Sequence, residues 1–494
     1  MPEIKKMYID GEWVPSSSGD TTAIINPATG EQIAVVAKGT RADARSAVKA
    51  AKRAFYEDGW WDSTAGERAE LLNKFADEME ANVDELARVE TMNNGKTLTE
   101  SSYDVYDSAA CLRYYAGLCT KPSGQTYAVP NPNVQSMTVR EPIGVVGMIV
   151  AWNFPISLAM WKLAPALAAG NTVVLKPASY TPLSAVMLFE MMERAGFPKG
   201  VVNLVLGSGA DVGDELAANT DVEKIAFTGS IEAGSSVMRA AANNVKGICL
   251  ELGGKSPVVV FDDADIATAV DYAAFGIFYN QGEVCSAGSR ILVQDTIYDS
   301  FTATLVEYTG QIKLGNGLAE NTTMGPLISK SHMEKVIGYI ETGKKEGATL
   351  LCGGRRAMEG ELSRGWFVEP TIFGDCTPDM TIVKEEIFGP VLCLQKFHTI
   401  NDAIELANDT AYGLAAGVFT KDGAKALKVI KKIRAGITWI NEFSPVYNEA
   451  PWGGYKQSGI GRELGTYGLD EFTEVKQINI NLEPAPTGWF TPKL

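Results

Sequence analysis

A chain of 494 residues is too long for one ordinary core, and 46% hydrophobic with 21% charged residues points to two or three soluble globular domains. Its formal net charge of −16 argues against nucleic-acid and anionic-membrane partners, since either needs a basic face. Seven scattered cysteines without a C-x-x-C pair speak against a disulfide framework or zinc site, and His332 and His398 are too few for a histidine triad or metal centre, although one can serve as an acid or base.

The start, Met1 to Met7, has no apolar core, so no secretory signal is expected and a cytoplasmic location is. Residues 8 to 37 read as short strands joined by turns. Periodic apolar positions predict helices over Arg41 to Tyr56, Glu67 to Thr91 and Thr99 to Leu118, and Pro122 to Pro132 reads as a connector. From Gly144 strand and helix alternate, with short β-rich runs at Val145 to Val150, Thr172 to Leu175, Val201 to Leu206, Lys224 to Phe227 and Gly247 to Leu250. The uncharged run Ile143 to Trp161 is broken by Gly144, Gly147, Asn153 and Pro155, and reads as a buried strand turning into a helix rather than a membrane span. A second alternating set starts at Ser256. Two open, parallel-sheet α/β domains follow: residues 1–121 with 142–254, and residues 255–473. The segments 122–141 and 474–494 fall outside both, as an extension or an oligomer contact.

Chemistry is expected around Tyr279-Asn-Gln-Gly-Glu-Val-Cys-Ser-Ala-Gly-Ser-Arg290, where Cys285 stands in a polar, glycine-containing loop. Glycines let backbone N–H groups approach a reacting atom, and a thiolate is the strongest natural nucleophile; the alternative is an incidental cysteine. Glu251 ends a strand beside Gly253 and Gly254, which suits a general base or a charged turn. Asn153, in Ala151-Trp-Asn-Phe-Pro155, offers an amide for a developing oxyanion or a helix cap. Lys176 at a strand end faces a ligand across the sheet, or snorkels at the surface. Phe227-Thr-Gly-Ser230 is a strand, a glycine turn and a helix start able to hold a phosphate, yet neither it nor Gly207 to Gly213 is a G-x-G-x-x-G fingerprint.

Together WNFP, LKP, FTGS, ELGGKSP, NQGEVCSAGSR, KEEIFGPV (384–391) and APWGGYKQSGIGRELG (450–465) occur in an order that resembles the NAD(P)-dependent aldehyde dehydrogenases over nearly the whole length. The resemblance implies the aldehyde dehydrogenase fold, with a Rossmann-like cofactor domain, a catalytic domain and a small β extension that makes a homodimer or homotetramer. It assigns Cys285 as the nucleophile on the aldehyde, Asn153 and the Cys285 N–H as oxyanion donors, and Glu251 as activator of the water that hydrolyses a thioester. Lys176 and Glu386 fall to the ribose hydroxyls, Trp152 and Phe388 to the nicotinamide side, and Gly229 with Ser230 to the pyrophosphate. Ser179 stands where NAD-preferring members often carry a glutamate, so NADP is expected to be accepted alongside NAD. Phe154, Trp161 and Trp452 match aromatic positions of the substrate channel, and broad aliphatic and aromatic aldehyde specificity is expected, with betaine aldehyde as the named alternative. The presence of Glu251 disfavours a CoA-acylating relative, and Cys285 with Glu251 disfavours a catalytically silent binding protein. No metal is implied.

Overall fold

The runs that read as strands from Gly144 onward are largely apolar, as strands covered by helices on both faces must be. In the computed structural model, which describes residues 3–490, they form the centre of an eight-stranded sheet. Its order is Gly459–Ile460, Gly247–Glu251, Lys224–Thr228, Val145–Ile149, Thr172–Lys176, Val202–Leu204, Met7–Ile9 and Glu12–Val14. The five central strands are parallel, and antiparallel strands close both edges. Ile149 lies opposite Lys176 and Phe227, and Thr228 opposite Glu251, so the residues picked out at strand ends share one carboxyl edge.

The second sheet has seven strands in the order Thr349–Cys352, Thr371–Gly374, Val391–Phe397, Arg290–Gln294, Pro257–Val260, Ala415–Phe419 and Ile437–Ile440. All its pairs are parallel except the first. Buried Arg290, where the strand after the Cys285 loop begins, donates to the Lys255, Leu406 and Ala407 carbonyls at 3.0–3.1 Å. That guanidinium fixes the loop's exit against the link between the two sheets.

Thr473–Asn481 pairs antiparallel with Val134–Pro142 in a three-stranded sheet completed by Thr126–Tyr127, inside the stretch read as a connector. Residues 491–494 of the expected extension, and Met1 and Pro2 of the start, lie outside the described residues. Two expectations need correction. The helix read over Glu67 to Thr91 is two helices, Ala65–Ala81 and Val83–Asn94; Asn82 breaks it, its side chain donating to the Glu78 carbonyl at 2.7 Å and competing with the backbone ladder. The stretch 255–473 is also not self-contained, because Gly459–Ile460 adds an edge strand to the first sheet on Gly247–Glu251. Among the described residues no helix is long and apolar enough to cross a membrane.

Candidate active site

The site forms where the chain passes from the first sheet to the second. Glu251 ends one strand, Gly253 and Gly254 carry the chain across, and Cys285 lies in the loop that enters the Arg290–Gln294 strand. The crossing is tight: a Cβ on Gly254 would lie 2.5 Å from the Cys285 carbonyl oxygen, and one on Gly253 would lie 2.1 Å from Glu386 Oε2. Those two glycines are therefore what lets Glu386 and the cysteine loop close over the end of the first sheet. Ser458 locks the crossing, donating to the Gly253 carbonyl at 2.8 Å while its backbone oxygen accepts from Leu252.

Glu251 is buried, and among the described residues neither carboxylate oxygen has a hydrogen-bond partner. Burial holds its carboxyl well above the usual carboxylate range; Glu463 pushes the same way, against Lys162 and Arg462. This is no charged turn residue. A turn residue would be solvated, whereas this one is buried. Glu463 is brought near by reciprocal backbone bonds with Trp452 at 2.7 and 2.8 Å, and its charge is met by Lys162 at 2.5 Å, which also donates to Thr228 at 2.6 Å. At Gly453, with φ +148°, a Cβ would stand 2.8 Å from Glu251 Oε1. Sequence reading passed over Lys162, Glu463 and Gly453; the signal was a lysine in an otherwise apolar helix and an acid beside a glycine run.

Cys285 is half-buried, and its thiol is pushed up to about 12, first by desolvation and then by the charges of Glu251 and Glu386. The loop before it takes an unusual path: Asn280 and Gln281 both have φ +46°, followed by Gly282 at +75°. Two consecutive non-glycine residues in the left-handed region carry strain that the surroundings must hold. Glu100 Oε1 accepts from the Asn280 N–H at 2.7 Å, and the Gln281 amide donates to Glu283 at 3.1 Å.

Asn153 does not cap the helix Pro155–Ala169, whose cap position is Phe154 with no side-chain bond; Pro155 occupies the first turn as expected. The Asn153 amide instead donates to the Glu283 carbonyl at 2.9 Å, two residues before Cys285. That joins the oxyanion candidate to the Cys285 loop. Lys176 is buried rather than snorkelling, donates to the Pro177 carbonyl at 2.8 Å, and burial lowers its ammonium to about 8. Glu386 accepts from the Gly254 N–H at 2.9 Å and is raised to about 7 by burial. Ser230 caps the helix Ile231–Ala241, and a Cβ on Gly229 or Gly234 would lie 2.6 Å from Phe227 or Leu252, so this helix start presses close to the sheet. Exposed Ser179 donates its hydroxyl to the Gly207 carbonyl at 2.9 Å.

Trp152 and Phe388 meet edge to face at 5.2 Å, and His332 joins them, its ring 5.3 Å from Trp152 and its Nε2 2.6 Å from the Phe388 oxygen. Burial holds His332 down at about 4, so it is neutral and acts here as an aromatic and hydrogen-bonding wall; nothing local in the sequence marked it. The three aromatics expected at a substrate channel fall into two groups. Trp161 and Trp452 pack at 5.4 Å with Trp439 beyond, while Phe154 stacks on Tyr279 at 6.0 Å beneath the Lys96 ammonium.

The model of the Aldehyde dehydrogenase family matches residues 13–478. The chain belongs to the aldehyde dehydrogenase family. It is similar over nearly its whole length to betaine aldehyde dehydrogenase of Bacillus subtilis, with 52% identity over 485 residues, 98% of this chain and 99% of that one. An aldehyde dehydrogenase of Emericella nidulans is 46% identical over 480 residues, 97% and 95% of the two chains. Among solved structures, betaine aldehyde dehydrogenase of Staphylococcus aureus in complex with NAD+ superposes with a TM-score of 0.97 at 48% identity, covering 99% of this chain and 97% of that one. The fold and enzyme class implied by the motifs are those of the family.

Proposed function

We propose that this chain oxidises an aldehyde to the carboxylic acid with NAD(P)+, with betaine aldehyde as preferred substrate. What carries the chemistry is the buried, unpartnered Glu251 carboxylate set across the two-glycine crossing from Cys285. The carboxyl edge fits a dinucleotide: Lys176 is a buried cation with one backbone acceptor, Glu386 faces the crossing, and Ser230 starts a helix whose first N–H groups suit a phosphate. Lys176 and Glu386 would hold ribose hydroxyls, Gly229 and Ser230 the pyrophosphate, and Trp152 and Phe388 the nicotinamide. When bound, NAD(P)+ accepts hydride from the carbon attached to Cys285. Ser179 brings no charge against a 2′-phosphate, which supports use of both cofactors.

Cys285 Sγ loses its proton to solvent and adds to the aldehyde carbon, and the Asn153 amide with the Cys285 N–H holds the oxygen that becomes negative. Loss of hydride from that carbon leaves a thioester. Glu251 takes a proton from water, the water oxygen displaces Cys285 Sγ, and the acid leaves with the thiol restored. Trp161, Trp452 and Trp439 present faces able to attract a quaternary ammonium, in line with the named activity of the 52% identical relative. The three-stranded sheet leaves Val475 and Ile480 exposed, which supports a homodimer or homotetramer built on it. Reduced-cofactor formation with betaine, aliphatic and aromatic aldehydes, each with NAD+ and NADP+, tests the reading. Betaine aldehyde is expected to give the highest kcat/KM; a simple aliphatic aldehyde ahead of it would overturn the substrate, and a requirement for CoA the reaction.

A further inference from the structure

The backbone carbonyl of Asn153 is gripped from two sides by asparagines remote from it in sequence. Asn280 Nδ2 donates to it at 2.8 Å, and Asn94 Nδ2 reaches it at 3.4 Å while donating to the neighbouring Trp152 carbonyl at 2.9 Å. Both asparagines are wholly buried. Each is itself anchored: Asn94, at the end of the helix Val83–Asn94, accepts the Lys96 N–H on Oδ1 at 3.1 Å, and Asn280 is pinned in its left-handed conformation by Glu100. A carbonyl oxygen has two lone pairs, and donors on both fix the plane of the peptide that carries it. Asn153 Nδ2 has two hydrogens. One goes to the Glu283 carbonyl, and because the amide is planar, that bond and the held Asn153 backbone together set where the other points.

We propose that Asn94 and Asn280 are positioning residues that clamp Asn153, so that the remaining hydrogen of its amide points at the substrate oxygen. The proposal rests on Asn153 serving as oxyanion donor, and accounts for an asparagine held at φ +46° immediately before the nucleophile's loop. Neither clamp residue has any exposed surface. Exchanging either amide for a carboxyl of the same size turns a donor into an oxygen facing an oxygen, and at Asn280 aspartate tolerates the backbone conformation as well as asparagine does.

The test is a double-mutant cycle on the full-length enzyme, reading kcat/KM for the aldehyde at saturating NAD+. Asn153→Ala is expected to lower it about 100-fold. Asn94→Asp and Asn280→Asp are each expected to lower it about 10-fold or more in the native background, and by less than about 2-fold when Asn153 is already alanine. Equal losses in both backgrounds would mean a general structural role and overturn the clamp. Native rates in both aspartate variants, with Asn153→Ala impaired, would overturn the clamp and leave the oxyanion reading standing. Full activity in Asn153→Ala would remove both. Should Asn94→Asp not fold, Asn280→Asp alone decides, because it addresses the same carbonyl from another element.

Discussion

Glu90 is wholly buried in the helix Val83–Asn94, with Oε1 accepting from the Ile156 N–H at 3.2 Å and Oε2 without a partner among the described residues. Ile156 lies in the first turn of the helix that follows the Asn153 turn, so this carboxyl props the site from behind. Burial raises it from 4.5 to about 7 in spite of Lys96 nearby. In the unfolded chain it ionises near its ordinary value; in the fold it does not until about 7, so the favourable contribution of the neutral acid is complete below 4.5 and lost as pH climbs through 7. At about 1.4 kcal/mol per pH unit, that rise removes roughly 3 kcal/mol of stability. Glu90→Gln keeps the acceptor for Ile156 and cannot ionise. The stability of the variant relative to the native protein, from urea unfolding, is therefore expected to improve by roughly 3 kcal/mol between about pH 4.5 and about pH 8, whatever the offset at low pH. A difference that stays constant across that range would refute the reasoning.

Gly453→Ala would put a methyl 2.8 Å from Glu251 Oε1 at φ +148°, and is expected to cut kcat by about 10-fold or more while cofactor binding, followed by fluorescence titration, holds. Glu386→Gln removes a charge that opposes the Cys285 thiolate, so its iodoacetamide alkylation profile is expected to shift to lower pH; an unmoved profile contradicts the assigned cause. Lys96→Met would strand Asp104, 2.6 Å from the ammonium, and is expected to cost about 3–5 kcal/mol in urea unfolding, against less than about 1 kcal/mol if the pair were solvated.

Much of the fold was legible because parallel strands buried on both faces advertise themselves: Val145–Ile149, Thr172–Lys176 and Lys224–Thr228 fall where their apolar runs placed them. The motif residues were legible as types, but their alternatives were not separable without burial. Glu251, Asn153 and Lys176 each had an ordinary surface or capping role open to them, and only desolvation and partner geometry exclude it. What sequence reading missed acts across long separations. Asn94 holds a turn at Trp152, Glu463 reaches Lys162 from the far end of the chain, and His332 joins an aromatic pair through tertiary packing. No local period encodes such contacts. The edge strand Gly459–Ile460 was hidden for the same reason, being two residues long and paired with a strand some two hundred positions away.

The most direct test is the mass of Glu251→Gln after incubation with betaine aldehyde and NAD+, followed by peptide mapping. With the nucleophile intact and water activation removed, an acyl group is expected to accumulate on the peptide bearing Cys285. No adduct, or one on any of the other six cysteines, would contradict the assignment of Cys285 as nucleophile and Glu251 as the base that frees it.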